Sequence, residues 1–296
     1  MDLPSQALSL GVIRTLVRMP AARFDDLSRP PLDAVALARA LQSPAGPWRE
    51  VRVVDVTGST NVDLAAAARA GDPGGLVLVA EHQDHGRGRL DRTWVSPPRA
   101  GLTFSVLWRP TVDPARWGWL SPLVGLAVAE AVSETALVDV RLKWPNDLLA
   151  GQRKLAGVLA ERVGEAVVVG VGLNVSTRVD ELVGPGATSL LFEDAACTDR
   201  DPLLRSALRR VAERYRDWTT GGGDPTTLRQ ALVERSATVG QEVQVLLPGG
   251  RTLRGTATDI DAEGRLVLFT EDGVEAVAAG DVVHLGQPPM GPGAGP

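Results

Sequence analysis

Four polar clusters between residues 59 and 174 carry the side chains that could do chemistry. The first is Gly86-Arg87-Gly88-Arg89, preceded by Gln83 and followed by Arg92 and Trp94. Glycines let a backbone approach a ligand closely and take positive φ, and interleaved guanidinium groups offer forked donors that match phosphate and carboxylate oxygens. The loop reads as an anion clamp, although the same composition suits RNA or a solvated surface. The second is Lys143-Trp144-Pro145-Asn146-Asp147. Trp144 reads as core, whereas Asn146 and Asp147 could hold a metal ion or a phosphate, or simply close a turn. The third is Arg153-Lys154-Leu155-Ala156-Gly157, a strand whose internal glycine invites close ligand approach. The fourth, Gly170-Val171-Gly172-Leu173-Asn174, begins like a dinucleotide fingerprint but lacks its third glycine, so that reading is rejected.

Other chemistries find less support. No GxxxxGK(S/T) phosphate loop is present. His82, His85 and His284 lack the spacing of zinc ligands. Ser59 has neither a His/Asp partner evident in the sequence nor a GxSxG elbow around it.

The elements that must position these clusters follow from periodicity. Residues 51–56 read as a strand and 60–70 as a helix, with Thr60 and Asp63 at its cap and Gly71 closing it. Strands are expected at 76–81, 102–108, 140–144, 154–161 and 166–175, the last two joined by a Gly164-Glu165 turn. The apolar run 119–137 and the amphipathic runs 203–218 and 226–234 read as helices, with a shorter one at 33–41. From Gly240 the texture changes to five short strands punctuated by PGG, AEG and EDG, which suits a small SH3-like barrel. The expectation is an α+β fold with helices on one side of a mixed sheet. Its parts are an N-terminal extension, partly disordered, over 1–49, a catalytic domain over 50–236, the barrel over 237–286 and a disordered Pro/Gly-rich tail over 287–296.

Bulk properties narrow the class. The 296 residues carry a net charge of -5, which argues against a surface built throughout for nucleic acid. The single cysteine, Cys197, forms no internal disulfide and points to a cytoplasmic home. Residues 8–19 are apolar but interrupted by Arg14 and Arg18, too short to span a membrane and without a basic leader, so either Met1 or Met19 could be the start.

Together and in this order the motifs resemble the biotin protein ligase family: GSTN at 58–61, AEHQDHGRGRLDRTWVSP at 80–97, KWPND at 143–147, RKLAGVLAE at 153–161 and VGVGLNV at 169–175. Any one is modest; five in sequence are specific. Asp84-His85 stands where the family usually has small residues. The resemblance implies a class II aminoacyl-tRNA-synthetase-like biotin/lipoate ligase fold. It also implies the monofunctional type, because three packed helices do not fit before residue 50.

The roles implied by the resemblance divide the site. Ser59, Thr60, Asn61, Gln83, Gly86, Arg87, Gly88, Arg89, Lys154 and Gly157 would bind biotin, with Arg87 and Arg89 on its carboxylate and phosphate side. Arg89, Trp94, Lys143, Asn146 and Asn174 would serve ATP and the adenylate, with Trp94 stacking on adenine. Lys154 and Arg89 would be catalytic, and Asp147 would hold Mg²⁺. The partner implied is a lysine of a biotin carboxyl carrier protein, with no DNA and no membrane, and a homodimer is compatible with the reading. Residues 82–94 are expected to be mobile without ligand and ordered with it. Two alternatives stay open at this point: a lipoate or fatty-acyl ligase of the same fold, and a nucleic-acid-binding module.

Overall fold

The computed structural model describes residues 28–90, 92–184 and 186–285. The expectations for the leading segment up to residue 27 and for the tail from residue 286 fall outside them. The chain divides into two units, Met1–Pro30 and Pro31–Pro296, and the elements all belong to the second. Helix α1 (Ala34–Leu41) begins at Asp33, whose carboxylate caps it by accepting the Ala36 N–H at 2.9 Å.

Strand β1 (Glu50–Thr57), helix α2 (Thr60–Arg69) and strand β2 (Leu76–Gln83) form a βαβ unit, and β1 and β2 pair in parallel. Every other pair in the main sheet is antiparallel: β3 (Gly101–Trp108), β4 (Val140–Lys143), β5 (Asp147–Ala150), β6 (Arg153–Val163) and β7 (Ala166–Asn174) complete the order β1-β2-β3-β7-β6-β5-β4. The sequence reading had one strand ending at Trp144 and none at 147–150. The chain instead reverses through residues 144–146, and the short run Asp147–Ala150 pairs back onto β4. The N-cap of α2 also lies one residue earlier than expected, at Ser59, whose hydroxyl makes no capping bond. The Asp63 carboxylate accepts the Thr57 hydroxyl at 2.5 Å instead.

The pleat sends alternate residues of the central strands to opposite faces. Phe104, Val106, Val169 and Val171 join the large core, which also holds α3 (Leu120–Ala136). Leu107, Ala166 and Val168 join a smaller cluster with Leu64 and Ala68 of α2. Helices therefore cover both faces, and the one-sided arrangement expected from sequence is corrected by α2. A crossover between parallel neighbours must lie over the sheet, which places it there.

Helix α3 is apolar around most of its circumference because it is sandwiched between the sheet and α4 (Arg200–Thr220). Gly125 brings it close to the sheet: an added Cβ would stand 3.3 Å from Leu142 Cδ2. Leu203, Leu204, Ala207, Leu208 and Val211 form the buried stripe of α4. Each such leucine contributes about 1.5–3 kcal/mol through burial. Helix α5 (Thr226–Glu234) leads to the terminal sheet.

Strands β8 (Glu242–Leu246), β9 (Thr252–Ile260), β10 (Leu266–Thr270), β11 (Gly273–Val277) and β12 (Asp281–His284) are antiparallel throughout, in the order β11-β10-β9-β8-β12. Gly249, Gly250, Gly264 and Gly273 take the positive φ that these turns require. Two indoles tie this sheet to the rest of the fold: Trp119 Nε1, just before α3, donates to the Ala262 carbonyl at 3.1 Å, and Trp144 Nε1, in the turn after β4, to the Gly264 carbonyl at 3.2 Å.

Candidate active site

A cavity of about 530 Å³ opens on the face of the sheet that α2 covers only in part. Beyond α2 this face of β7 carries Gly170 and Gly172 in place of side chains, and β6 carries Gly157. The space is needed. A Cβ on Gly170 would lie 2.1 Å from Asn61 Oδ1, and one on Gly172 would lie 2.3 Å from the Trp94 ring. The run rejected above as a dinucleotide fingerprint is thus a strand, as read, and its glycines form the floor of the cavity.

One end of the cavity is a chain of hydrogen bonds. Gln83 Oε1 accepts the Thr60 N–H at 2.8 Å, and the Thr60 hydroxyl lies 2.7 Å from that of Ser105. Ser105 donates to Asn61 Oδ1 at 2.6 Å. Asn61 Nδ2 donates to Glu161 at 2.7 Å and to the Leu159 carbonyl at 3.2 Å. Arg87 closes the chain on Glu161 at 3.0 Å, so it stands at this polar end and not beside Arg89 on the carboxylate side as expected. Ser59, Thr60, Asn61 and Ser105 are buried, so their orientations are fixed before any ligand arrives. Sequence reasoning missed Ser105 and Glu161. Glu161 was legible in principle, since period two puts residues 157, 159 and 161 on one face of β6.

The Gly/Arg loop folds back on itself. Trp94 N–H donates to the Gly86 carbonyl at 2.8 Å, and Gly88 N–H to the Arg92 carbonyl at 2.7 Å. A Cβ on Gly86 would strike the Trp94 carbonyl at 2.4 Å. Neither Gly86 nor Gly88 has positive φ, contrary to expectation, whereas Leu90 is left-handed, at φ 53°. These glycines serve close packing of the loop on itself. Gly86 does not line the cavity, whereas Gly88 does.

The other end is cationic. Lys154 Nζ pairs with Asp147 at 2.7 Å and lies 6.0 Å from the centre of the Trp94 ring. Arg89 donates to Asn146 Oδ1 at 3.0 Å, and Asn146 Nδ2 is fixed by the Val158 carbonyl at 2.8 Å. Burial pulls the Lys143 ammonium below its ordinary pKa and neighbouring Lys154 adds to this, while Asp147 and Asp281 oppose it. Arg92 pairs with Asp281 of β12, and Gln244, Asp281 and Val282 extend the wall, so the terminal sheet takes part in the site. Asn174 lines the cavity, but its amide donates to the Thr188 carbonyl at 2.9 Å and so also anchors the segment after β7. Trp94, expected to stack on adenine, packs instead on the floor against Gly172 and Gly157, and its buried Nε1 lacks a partner among the described residues. Among those residues no group of three or more His, Cys, Asp or Glu could hold a metal ion alone.

The structure thus gathers Ser59, Thr60, Asn61, Gln83, Arg87, Gly88, Arg89, Trp94, Lys143, Asn146, Asp147, Lys154, Gly157 and Asn174 around one cavity. A polar pocket at one end and fixed cations at the other suit a long ligand with a hydrogen-bonding head and an anionic tail.

Comparison with known proteins agrees with this arrangement. Residues 54–177 match the family model described as the Biotin/lipoate A/B protein ligase family, and residues 238–285 match the Biotin protein ligase C terminal domain. The chain is 45% identical to a biotin--[acetyl-CoA-carboxylase] ligase of Mycobacterium tuberculosis, over 88% of this chain and 98% of that protein. It is 32% identical to the bifunctional ligase/repressor BirA of Escherichia coli, over 75% of this chain and 68% of that protein. Among solved structures, a biotin protein ligase from Aquifex aeolicus in complex with biotin and ATP superposes with a TM-score of 0.68 at 27% identity, covering 80% of this chain and 99% of that one. With two family models matched along its length and a relative this similar end to end, the chain belongs to the biotin protein ligase family.

Proposed function

We propose that this chain activates biotin with ATP and transfers it to a lysine of a biotin-dependent carboxylase, the acceptor being the biotin carboxyl carrier domain. The observation that carries the reading is one cavity that combines a buried hydrogen-bonding pocket, a glycine floor and a cationic end. That pocket favours a ligand with a polar ring over a plain acyl chain, because buried donors and acceptors left without partners would cost about 1–3 kcal/mol each.

The ring of biotin lies against Ser59, Thr60 and Gln83, with Asn61 and Arg87 holding the pocket from behind. Its alkyl tail runs along Trp94, whose ring packs on Gly157 and Gly172. Its carboxylate meets Lys154 and Arg89, and Lys143, Asn146 and Asn174 lie on the nucleotide side. In the first step a carboxylate oxygen attacks the α-phosphorus of ATP. A P–O bond forms, and pyrophosphate leaves with the electron pair of the α–β bridge. Two anions must meet, and Lys154 and Arg89 lower that barrier by neutralising charge as it develops. No general base is needed, since the carboxylate is ionised near pH 7.

Mg²⁺ is part of the same proposal. It commonly uses one or two carboxylates together with phosphate oxygens, and Asp147 offers one carboxylate in the cavity. When bound, the ion would neutralise phosphate charge. The loop at 82–94 covers the site and shields the adenylate from water. A cytoplasmic setting fits the single cysteine.

The test is to incubate the protein with ATP, Mg²⁺, biotin and a carrier domain, and to weigh the carrier. The expected result is one added biotin, with pyrophosphate released. No nucleotide consumption with biotin, or equal use of lipoate, would overturn the reading.

A further inference from the structure

A second cavity, of about 300 Å³, adjoins the first across the turn at residues 144–146. The two share residues 143–147, Val158, Leu159 and Arg89, and the Arg89–Asn146 hydrogen bond lies in that common wall. The remaining walls come from regions that the adenylation chemistry does not use. They include Gly118 just before α3, Ser121 and Pro122 at its start, Leu232 of α5, and the β9–β10 turn with Glu263 and Gly264. The two indole hydrogen bonds to Ala262 and Gly264 hold that turn in place, so the terminal sheet roofs the cavity.

The lining selects its occupant. Trp119, Trp144, Leu142 and Leu148 make it largely apolar. Apart from the shared residues, the only charged side chain in its lining among the described residues is Glu263. Glu263 lies with Asp261 and Arg265 on an exposed turn, where the two carboxylates share one guanidinium and leave a net negative charge. Pyrophosphate would find no cation here beyond those of the first cavity. An unbranched alkyl chain ending in an ammonium group fits: the stem packs on apolar walls and the cation is drawn to an acidic mouth.

We infer that the second cavity admits the acceptor lysine of the carrier and delivers its amine to the adenylate across the Arg89–Asn146 partition. This rests on the ligase reading above. The ammonium group first loses a proton to solvent. The neutral nitrogen then attacks the carbonyl carbon of the mixed anhydride, a C–N bond forms, and the C–O bond to phosphate breaks with its electron pair leaving on AMP. A second proton passes from nitrogen to water.

The experiment separates the half-reactions. Gly118→Leu adds bulk at a position where a new Cβ meets nothing within 4 Å. Glu263→Lys inverts the charge at an exposed site. Each variant is assayed for pyrophosphate exchange with biotin, for consumption of the adenylate by free hydroxylamine, and for transfer to the carrier. For Gly118→Leu, exchange and the hydroxylamine reaction should stay within about twofold of the parent while carrier transfer falls at least about tenfold. For Glu263→Lys, KM for the carrier should rise about three- to tenfold at low salt, and the difference should shrink as salt is added. Unchanged carrier transfer in both variants would overturn the inference, as would a parallel loss of exchange and transfer, which would assign the cavity to the nucleotide. Should Gly118→Leu fail to fold, an unaltered carrier KM in Glu263→Lys is sufficient to overturn it. Absence of exchange in the parent protein would instead defeat the ligase reading itself.

Discussion

Glu161 is the residue whose removal tests the polar end of the site most directly. Its carboxylate holds Asn61 at 2.7 Å and Arg87 at 3.0 Å. Glu161→Ala leaves Asn61 Nδ2 with only the Leu159 carbonyl, at 3.2 Å, and removes the constraint that keeps Oδ1 turned toward Ser105. A hydrogen bond to a charged group contributes about 1.5–3 kcal/mol in a buried setting. Asn61 is buried, but the Arg87 side chain is 50% exposed, so its share is about 0–1 kcal/mol. Because Asn61 keeps one partner, the expected loss is about 1–2 kcal/mol, or roughly a 5- to 30-fold rise in the Kd for biotin. The effect should appear in KM for biotin, with kcat for adenylation within about threefold and KM for ATP unchanged, since the chain lies at the far end of the cavity from Lys154. Glu161→Gln offers an amide oxygen to Asn61 and should restore most of the loss, which a merely cavity-forming change would not. Calorimetric titration with biotin and pyrophosphate release at varied biotin measure both. An alanine variant with biotin affinity within twofold of the parent would refute the reasoning, and so would one whose loss fell equally on kcat.

Other perturbations have equally definite outcomes. Lys154→Ala or Arg89→Ala should slow adenylate formation by at least about 10²-fold, the scale for losing one preorganised charge, and near-normal pyrophosphate exchange would remove the assigned role. Gly172→Ala would place a methyl 2.3 Å from the Trp94 indole and should weaken biotin binding at least about tenfold by displacing it, as read by calorimetry. Arg200→Ala removes the cation that pairs with the buried Glu81 carboxylate at 2.5 Å and leaves it the Leu32 N–H at 2.6 Å; this should cost on the order of 3–5 kcal/mol, and a Tm lowered by less than a few degrees would contradict it. His284 is held below its ordinary pKa, first by burial and then by Lys143. Its neutral form is favoured by folding, so its contribution is present above about pH 6.5 and lost as the pH falls through the lowered folded value; His284→Gln should flatten the decline of Tm on acidification.

The terminal sheet gains a reason to exist from these contacts. It supplies Asp281 to Arg92 and part of the cavity wall, and its β9–β10 turn is held by the indoles of Trp119, just before α3, and Trp144, in the turn after β4. A change there can reach the chemistry without touching biotin.

What the sequence determined by itself was local. Period-two and period-3.6 patterns placed almost every strand and helix, because burial on one face or both leaves a direct mark on residue order. The motifs named the side chains of the site, since chemistry requires particular functional groups. The chain reversal at residues 144–146 and strand β5 escaped because Asp-Leu-Leu-Ala shows no apolar/polar alternation, unlike Val-Arg-Leu-Lys of β4; its pairing with β4 and β6 makes it a strand. The role of Gly86 was misread for a related reason: its lack of a side chain matters only because the Trp94 carbonyl folds back within 2.4 Å of where a Cβ would be. Tertiary structure alone decided that Ser105 on β3 and Glu161 on β6 complete one hydrogen-bond chain with α2, and that two sheets enclose adjoining cavities. Such contacts join residues 44 to 189 positions apart, and no local pattern encodes a distance that only packing sets.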